Sequence, residues 1–348
     1  MNGLLNTSVG RVELKNPLIA GSAEHLIEPE GIRRALQAGV GAVVVKSTNE
    51  SQAARDQLQC AEYMILDSQW RPLPWNTAAP ADAFFACRSG LTPQSFDQWL
   101  DQTAMLDREA RAFDSYAVGS LILADLDAAV RMAKQVEQAG IRVLELNIGT
   151  PYASQAAKGA VSTELDPARI TTIVSTVRAA IGIPLWVKIT GQSERVPELA
   201  DAAFAAGGEA VVMAGRSLGL IPDVETFAPM LSTTLGVGGH WNLPLTCQWL
   251  AMTRLRLGAE SPLIGVNGVQ SGLDVARVML AGASAVEMTS AVMLRGFDVL
   301  ADALEELEAY LARKGVTARE LIGRAADSRK TFAQMPMIRD NWRRYVPA

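Results

Sequence analysis

Three polar residues stand at or inside short apolar runs. Lys46 follows Ala-Val-Val-Val, Asn147 follows Val-Leu-Glu-Leu, and Lys188 lies within Leu-Trp-Val-Lys-Ile. Runs of this kind read as strands buried on both faces. An ammonium or amide at such a place needs a partner, because a buried charge left alone is heavily penalised. For one lysine, an ion pair with an acid on a neighbouring strand explains it as well as a ligand does. Two lysines and an asparagine together favour a bound anion or an electron-rich ligand. The C-terminal third adds a second cluster, Leu-Ile-Gly-Val-Asn-Gly ending at Gly268 and Ala-Val-Glu-Met-Thr-Ser ending at Ser290. Each is a strand running into a turn, and paired turns of this type aim backbone N–H groups at a phosphate. Gly268 permits close backbone approach, while Thr289 and Ser290 add hydroxyl donors. Ordinary strand-to-helix turns are the plain alternative.

The elements that must position these residues alternate along the chain. Strand-like runs begin near Leu18, Ala42, Val118, Val143, Leu185, Ala210, Leu263 and Ala285. Helical patterns cover 28–38, 125–139, 166–180, 196–206, 246–257, 273–281 and 297–314, with Asp166 and Pro167 as a helix start and Gly140 as a helix end. Eight alternations predict a (β/α)8 TIM barrel, with a doubly wound open sheet as competitor. The spacing leaves surplus chain after strands 2, 4 and 6, at 46–91, 149–165 and 215–243. In a barrel those loops share one end, so an enclosed, lidded site is expected there, peripheral hairpins being the bland alternative. Trp70, Trp75, Phe84 and Phe85 serve equally as a lid or as staples for the longest loop. A hairpin around Val9-Gly10 is expected to plug the opposite end.

Composition narrows the class. The 348 residues are 49% apolar and 20% charged, with a net charge of −5. No low-complexity tract or basic cluster suggests disorder or a nucleic-acid groove. Cys60, Cys87 and Cys247 form no C-x-x-C pair, which argues against a zinc knuckle or an iron–sulfur cluster held by this chain, and no metal site is expected. There is no signal-peptide pattern and no run of 18 apolar residues, so a cytoplasmic address is expected, with peripheral membrane contact left open.

The sequence resembles the dihydroorotate dehydrogenase-like FMN flavoproteins, a family of (β/α)8 barrels related also to the flavin domain of dihydropyrimidine dehydrogenase. The resemblance is densest in Glu-Leu-Asn-Ile-Gly-Thr-Pro (145–151), Pro-Leu-Trp-Val-Lys (184–188), Gly238-Gly239 and the stretch from Ile264 to Ala291. Asn16-Pro17-Leu18, Ala20-Gly21-Ser22 and Val45-Lys46-Ser47-Thr48 match the first two strands. It spans about residues 1 to 315, thinly between 50 and 135, and does not extend beyond Val316. This sets the domain reading: an FMN-binding barrel over 1–315, and a helical, basic extension packed on it over 316–348.

The resemblance implies roles. Lys188 would lie at the flavin's pyrimidine edge, where a cation stabilises the reduced ring. Lys46 and Asn147 would touch flavin or substrate, and Ala20, Gly21 and Ser22 would pack on the isoalloxazine ring. Asn267, Gly268, Thr289 and Ser290 would hold the phosphate, with Gly238 and Gly239 nearby. The substrate exchanges a hydride with flavin N5, and a residue of the strand-4 loop moves the accompanying proton. Here this sequence departs from the family pattern. Thr150 stands where Cys or Ser precedes the proline, and a threonine hydroxyl is a poor base without a relay. Tyr152, which replaces a substrate-binding asparagine, is the other candidate acid. Both also read as plain loop residues.

The substrate positions differ further. Asn147 is kept, but Arg216-Ser217 and the stretch beginning at Arg88 replace neutral amides. Guanidinium groups favour a carboxylate or another anion. The expected function is therefore FMN-dependent oxidation or reduction of a CH–CH bond in a small anionic, cyclic or unsaturated substrate, dihydroorotate-like but other than dihydroorotate. Genuine dihydroorotate dehydrogenation is the first alternative, and a non-flavin, phosphate-binding lyase or isomerase the second. A flavin subunit serving mainly for electron transfer is a third. The resemblance also implies a homodimer of the soluble class, since no quinone-directed helical extension precedes the barrel. His25 and His240 read more readily as structural than as ligands.

Overall fold

The structure, a computed structural model, describes residues 3–75, 79–150 and 164–347. Eight parallel strands close in chain order: Leu18–Ala20, Ala42–Val44, Tyr116–Ile122, Leu144–Asn147, Leu185–Lys188, Ala210–Met213, Leu263–Val266 and Ala285–Met288. The eighth pairs with the first, Met288 opposite Ala20. Every apolar run singled out in the sequence is one of these strands, and closure excludes the open doubly wound sheet.

Two-residue alternation sorts each strand's side chains. Ile19, Val44, Val118, Trp186, Val212 and Ile264 fill the barrel, whereas Leu18, Val43, Leu146, Val187 and Met288 pack under the helices. Both faces are buried, which is why the runs are continuously apolar. The hairpin Thr7–Val9 and Val12–Leu14 turns at Gly10, whose φ of +59° suits glycine. It places Val9, Val12 and Leu14 in the inner cluster beside Val143 and Ala285, closing the end away from the strand C-termini.

The expected helices form within a few residues of the expected bounds. Asp125 caps Leu126–Gln138 and Asp166 caps Pro167–Arg178, each accepting a hydrogen bond from a first-turn N–H. One long helix, Phe96–Ala110, escaped the periodicity reading, as did the short Gln52–Asp56 and Ser290–Arg295. The long helix opens with a Ser95–Gln98 capping box, but its buried face mixes Trp99, Thr103 and Leu106 with Asp107. That carboxylate lies 2.7 Å from the Arg142 guanidinium and also accepts from the Ala117 N–H. A buried acid thus interrupts the apolar stripe because it is tied to the next two units of the barrel.

The loops after the second and sixth strands join in one five-stranded antiparallel sheet over the strand C-termini. Its order is Ser217–Gly219, Leu235–Gly239, Phe84–Arg88, Glu62–Leu66 and Pro72–Leu73. The aromatics hold it. Phe84 stacks on Trp241 with centroids 5.4 Å apart and meets Trp70 edge-on at 5.0 Å, and Trp75 meets Phe85 at 6.2 Å. After Asp298–Lys314, short helices at Ala318–Leu321 and Arg324–Asp327 return to the barrel, where Asp327 pairs with Arg254 at 2.7 Å. From Ser328 to Pro347 nearly all side chains are exposed, although the Arg329 guanidinium still reaches the Met252 sulfur at 3.4 Å. Among the described residues no helix is long and apolar enough to cross a membrane.

Candidate active site

The inner alternation that buries Val118, Val143, Trp186 and Ala285 brings Ser120, Glu145, Lys188 and Glu287 inward one layer higher. The barrel's top layer is therefore polar. Lys188 Nζ lies 2.6 Å from Glu287 Oε2 and 3.2 Å from Glu145 Oε2. Burial alone would discharge this ammonium, but the two carboxylates outweigh it and hold the proton far above the usual lysine range. Glu287 pays the converse: burial, only partly offset by Lys188 and reinforced by Glu145, pushes its carboxyl up to about 8. Lys46 Nζ pairs with Glu24 Oε1 at 2.9 Å. Burial would raise Glu24, yet the attraction of Lys46 wins and keeps it below the usual carboxylate range. Both lysines thus have the acid partners that the plain explanation required.

Above this layer, the barrel strands and the five-stranded sheet enclose a cleft with about 990 Å³ of non-atom space, part of it open to solvent. Ser22, Lys46, Asn147, Thr150, Lys188 and Arg216 line it on the barrel side. Gly238, Asn267, Gly268, Thr289 and Ser290 line it on the side of strands seven and eight. Residues from all parts of the chain singled out in the sequence are brought together.

Several contacts define what these groups do. Asn267 and Gly268 both have left-handed backbone, φ +83° and +89°. The Asn267 amide holds this turn by donating to the Ala214 and Gly215 carbonyls at 2.8 and 2.9 Å, so its side chain is occupied structurally. A Cβ at Gly268 would sit 2.3 Å from Leu243 N. Asn147 Oδ1 accepts from Gly149 N–H at 3.0 Å, orienting the amide at the strand end. Thr150 is buried, and its hydroxyl lies beside Gly215, where an added Cβ would be 3.4 Å away. Arg216 reaches Ser89 Oγ and lies 3.8 Å from Cys87 Sγ, whose thiol is pushed up by burial.

Five expected site residues do not line the cleft. Ala20 and Gly21 lie beneath it: a Cβ at Gly21 would be 2.1 Å from Thr289 Oγ1, so its small size serves the contact between the first and eighth strands. Gly239 turns away toward Ala83, and Ser217 faces Asn242. Arg88 points to the far side of its strand, where it binds the Cys60 and Leu231 carbonyls and pairs with Glu62 at 2.9 Å. Of Lys46, Lys188, Arg88 and Arg216, Arg88 is thus elsewhere and each lysine is matched by acid. Tyr152 lies outside the described residues.

Sequence reasoning missed Cys87, Glu287 and Met293, which line the cleft together with Glu24, Ser89 and the lid candidate Phe85. Two signals were present. Phe85, Cys87 and Ser89 share one face of a strand by period-two spacing, with Arg88 on the other. Glu287 is a lone acid inside an apolar run, as Lys188 is a lone base. Neither histidine lines the cleft. His25 packs edge-on against Phe297 at 5.6 Å, with both ring nitrogens shielded and without partners among the described residues. Burial pushes its pKa down to about 3. His240 is exposed at the start of a short 3-10 helix.

Comparison with known proteins gives this geometry a context. The sequence model of the family described as dihydroorotate dehydrogenase matches residues 72–311. The catalytic subunit of dihydroorotate dehydrogenase B (NAD(+)) from Methanocaldococcus jannaschii is 26% identical over 329 residues, covering 92% of this chain and 98% of that protein. The subunit of the same name from Pyrococcus furiosus is 27% identical, covering 90% and 96%. That from Bacillus pumilus is 29% identical, covering 65% and 69%.

Proposed function

The chain belongs to the dihydroorotate dehydrogenase family and is an oxidoreductase acting on CH–CH donors, and from that premise we propose that it binds FMN in the cleft and uses it on a small anionic substrate other than dihydroorotate. The observation that carries the flavin reading is the cleft itself. At one end the backbone of Gly238 is open, an added Cβ meeting nothing nearer than 3.8 Å. Beside it stand the left-handed turn at Asn267-Gly268 and the Ser290 hydroxyl, a donor set suited to a phosphate. At the other end Asn147 and Lys188 offer a hydrogen-bonding, cationic edge suited to a pyrimidine-like ring. The apolar Val266, Val269 and Met293 line the same cleft, which suits a ligand with an apolar, flat part as well as polar ends.

Bound there, FMN would supply hydride exchange at its N5. The chain's own residues do the rest. Gly268, Ser290 and Gly238 hold the phosphate, and Lys188 stabilises negative charge at the ring's edge. Thr150, buried beside the loop after strand six, is the group nearest the proton-transfer role. Arg216 binds substrate charge, with Lys46 and Asn147 nearby. The Thr150 hydroxyl in place of a stronger proton carrier, together with a guanidinium where a neutral amide is expected, supports a substrate unlike dihydroorotate.

Dihydroorotate itself remains the second reading, favoured by the names of the relatives; a non-redox lyase or isomerase is not favoured by them. Anaerobic reduction of the FMN-loaded protein separates the first two. Bleaching by one class of small saturated carboxylates, with no bleaching by dihydroorotate, is expected; brisk bleaching by dihydroorotate overturns the specificity. We carry forward from the family resemblance a homodimer, tested by sedimentation. The division at residue 315 is likewise a proposal, tested by limited proteolysis.

A further inference from the structure

Lys188, Glu145 and Glu287 place one cation among two acids in a layer that is almost wholly buried. Glu287 also lines the cleft, and its Oε1 has no hydrogen-bond partner among the described residues. An ionised carboxylate with an orphaned oxygen at such a place is costly. A carboxylic acid there needs only one acceptor, and Glu145 shares the Lys188 ammonium with it, the two carboxylates lying 3.2 and 2.6 Å from Nζ. Two carboxyls beside one ammonium hold a single proton between them for the same reason that paired acids in other sites do.

The cluster is also wired to the cleft wall. Ser120 Oγ donates to Glu145 Oε1 at 3.2 Å and lies 2.8 Å from Ser47 Oγ, which is 3.3 Å from Ser22 Oγ. Ser22 and Ser47 line the cleft. The charged groups facing Glu287 are Lys188 on the fifth strand and Glu145 on the fourth; the Lys46–Glu24 pair lies above the second and first.

We propose that Glu287 is a proton-holding carboxyl that shares one proton with Glu145 under Lys188 and gains or releases it as charge changes on the ring bound above. This rests on the flavin reading. Negative charge gained by a ring bound above, as hydride exchange with substrate would supply, would favour uptake of that single proton by the cluster. That proton comes from solvent by way of the cleft, and it returns when the electrons leave. Glu287 is thus a positioning residue for charge, distinct from the group that moves the substrate's own proton.

The test has two arms. In protein without flavin, infrared difference spectra between pH 6 and pH 9 should show a protonated-carboxyl band that is lost through about pH 8 and is absent in Glu287→Gln. An identical band in that variant overturns the proposal whatever the flavin does. In FMN-loaded protein, the midpoint potential plotted against pH should change slope in the same window, and the change should vanish in Glu287→Gln. If both proteins bind FMN and keep the same slope change, the proposal fails while the flavin reading stands. If neither binds FMN, the flavin reading fails and the infrared arm alone decides. Should Glu287→Gln not fold, Ser120→Ala removes a donor that favours ionised Glu145, so the infrared transition must move to higher pH; an unmoved transition overturns the proposal.

Discussion

The Arg216 guanidinium donates a hydrogen bond to the Ser89 hydroxyl across 127 residues of chain, joining the loop after the sixth barrel strand to the loop after the second. Both residues line the cleft. The contact therefore fixes a guanidinium at the cleft wall and closes the two loops on each other.

If Arg216 binds substrate charge, Arg216→Lys keeps the charge but loses the planar fork. Loss of a charge-assisted hydrogen bond of this sort corresponds to about 10- to 100-fold. We expect KM for the anionic substrate to rise by that factor, with kcat changed less, and steady-state kinetics checks it. Ser89→Ala, which removes only the support, should show a smaller rise in the same direction.

Thr150→Ala should slow flavin reduction by substrate by about 10²- to 10⁴-fold, the usual contribution of a positioned proton carrier. FMN affinity should stay near the parent value. Thr150→Cys should recover much of the rate, and its rate should rise with pH as thiolate forms. Stopped-flow bleaching measures both. Unchanged reduction in Thr150→Ala would move the role to another residue, with Tyr152 the next to test.

His25 links stability to acid pH. Its folded-state pKa is depressed to about 3 by burial, whereas the ordinary value is 6.5. A depressed value means that the unfolded chain binds the proton first. The contribution is therefore intact above pH 6.5 and lost as pH falls toward 3. His25→Leu should flatten the decline of Tm between pH 7 and pH 4. Parallel Tm curves for the two proteins would show that His25 is not shielded as described.

Gly268→Ala should damage both fold and cofactor site. Its φ of +89° is strained for any side chain, and the new Cβ would press on the Leu243 backbone. Strain of this kind costs about 1–3 kcal/mol. We expect a lower Tm and faster loss of FMN during gel filtration, whereas Gly140→Ala, where an added Cβ meets nothing within 4 Å, should lower Tm with no loss of FMN.

Much of the barrel was legible because its cause is local. Eight doubly buried strands must be continuously apolar, and each exposed itself in that way. The helix Phe96–Ala110 did not, because Asp107 breaks its stripe to satisfy Arg142 on another unit. Lys188 and Lys46 were legible as residues needing partners, and Glu145 stands on the strand paired with that of Lys188, but Glu287 was not legible as a partner, since only the closed barrel brings the eighth strand to the fifth. Arg88 misled for the opposite reason. Its type suggested a ligand, while the strand alternation that turns it outward belongs to a sheet assembled from two distant loops.

The most direct measurement is the visible spectrum of the purified protein after incubation with FMN, gel filtration and anaerobic addition of small carboxylates. Retention of the yellow chromophore, followed by its bleaching with one class of anionic substrate, is the predicted result. Protein that elutes colourless, with all FMN in the small-molecule fraction, would contradict the assignment of the cleft to a flavin.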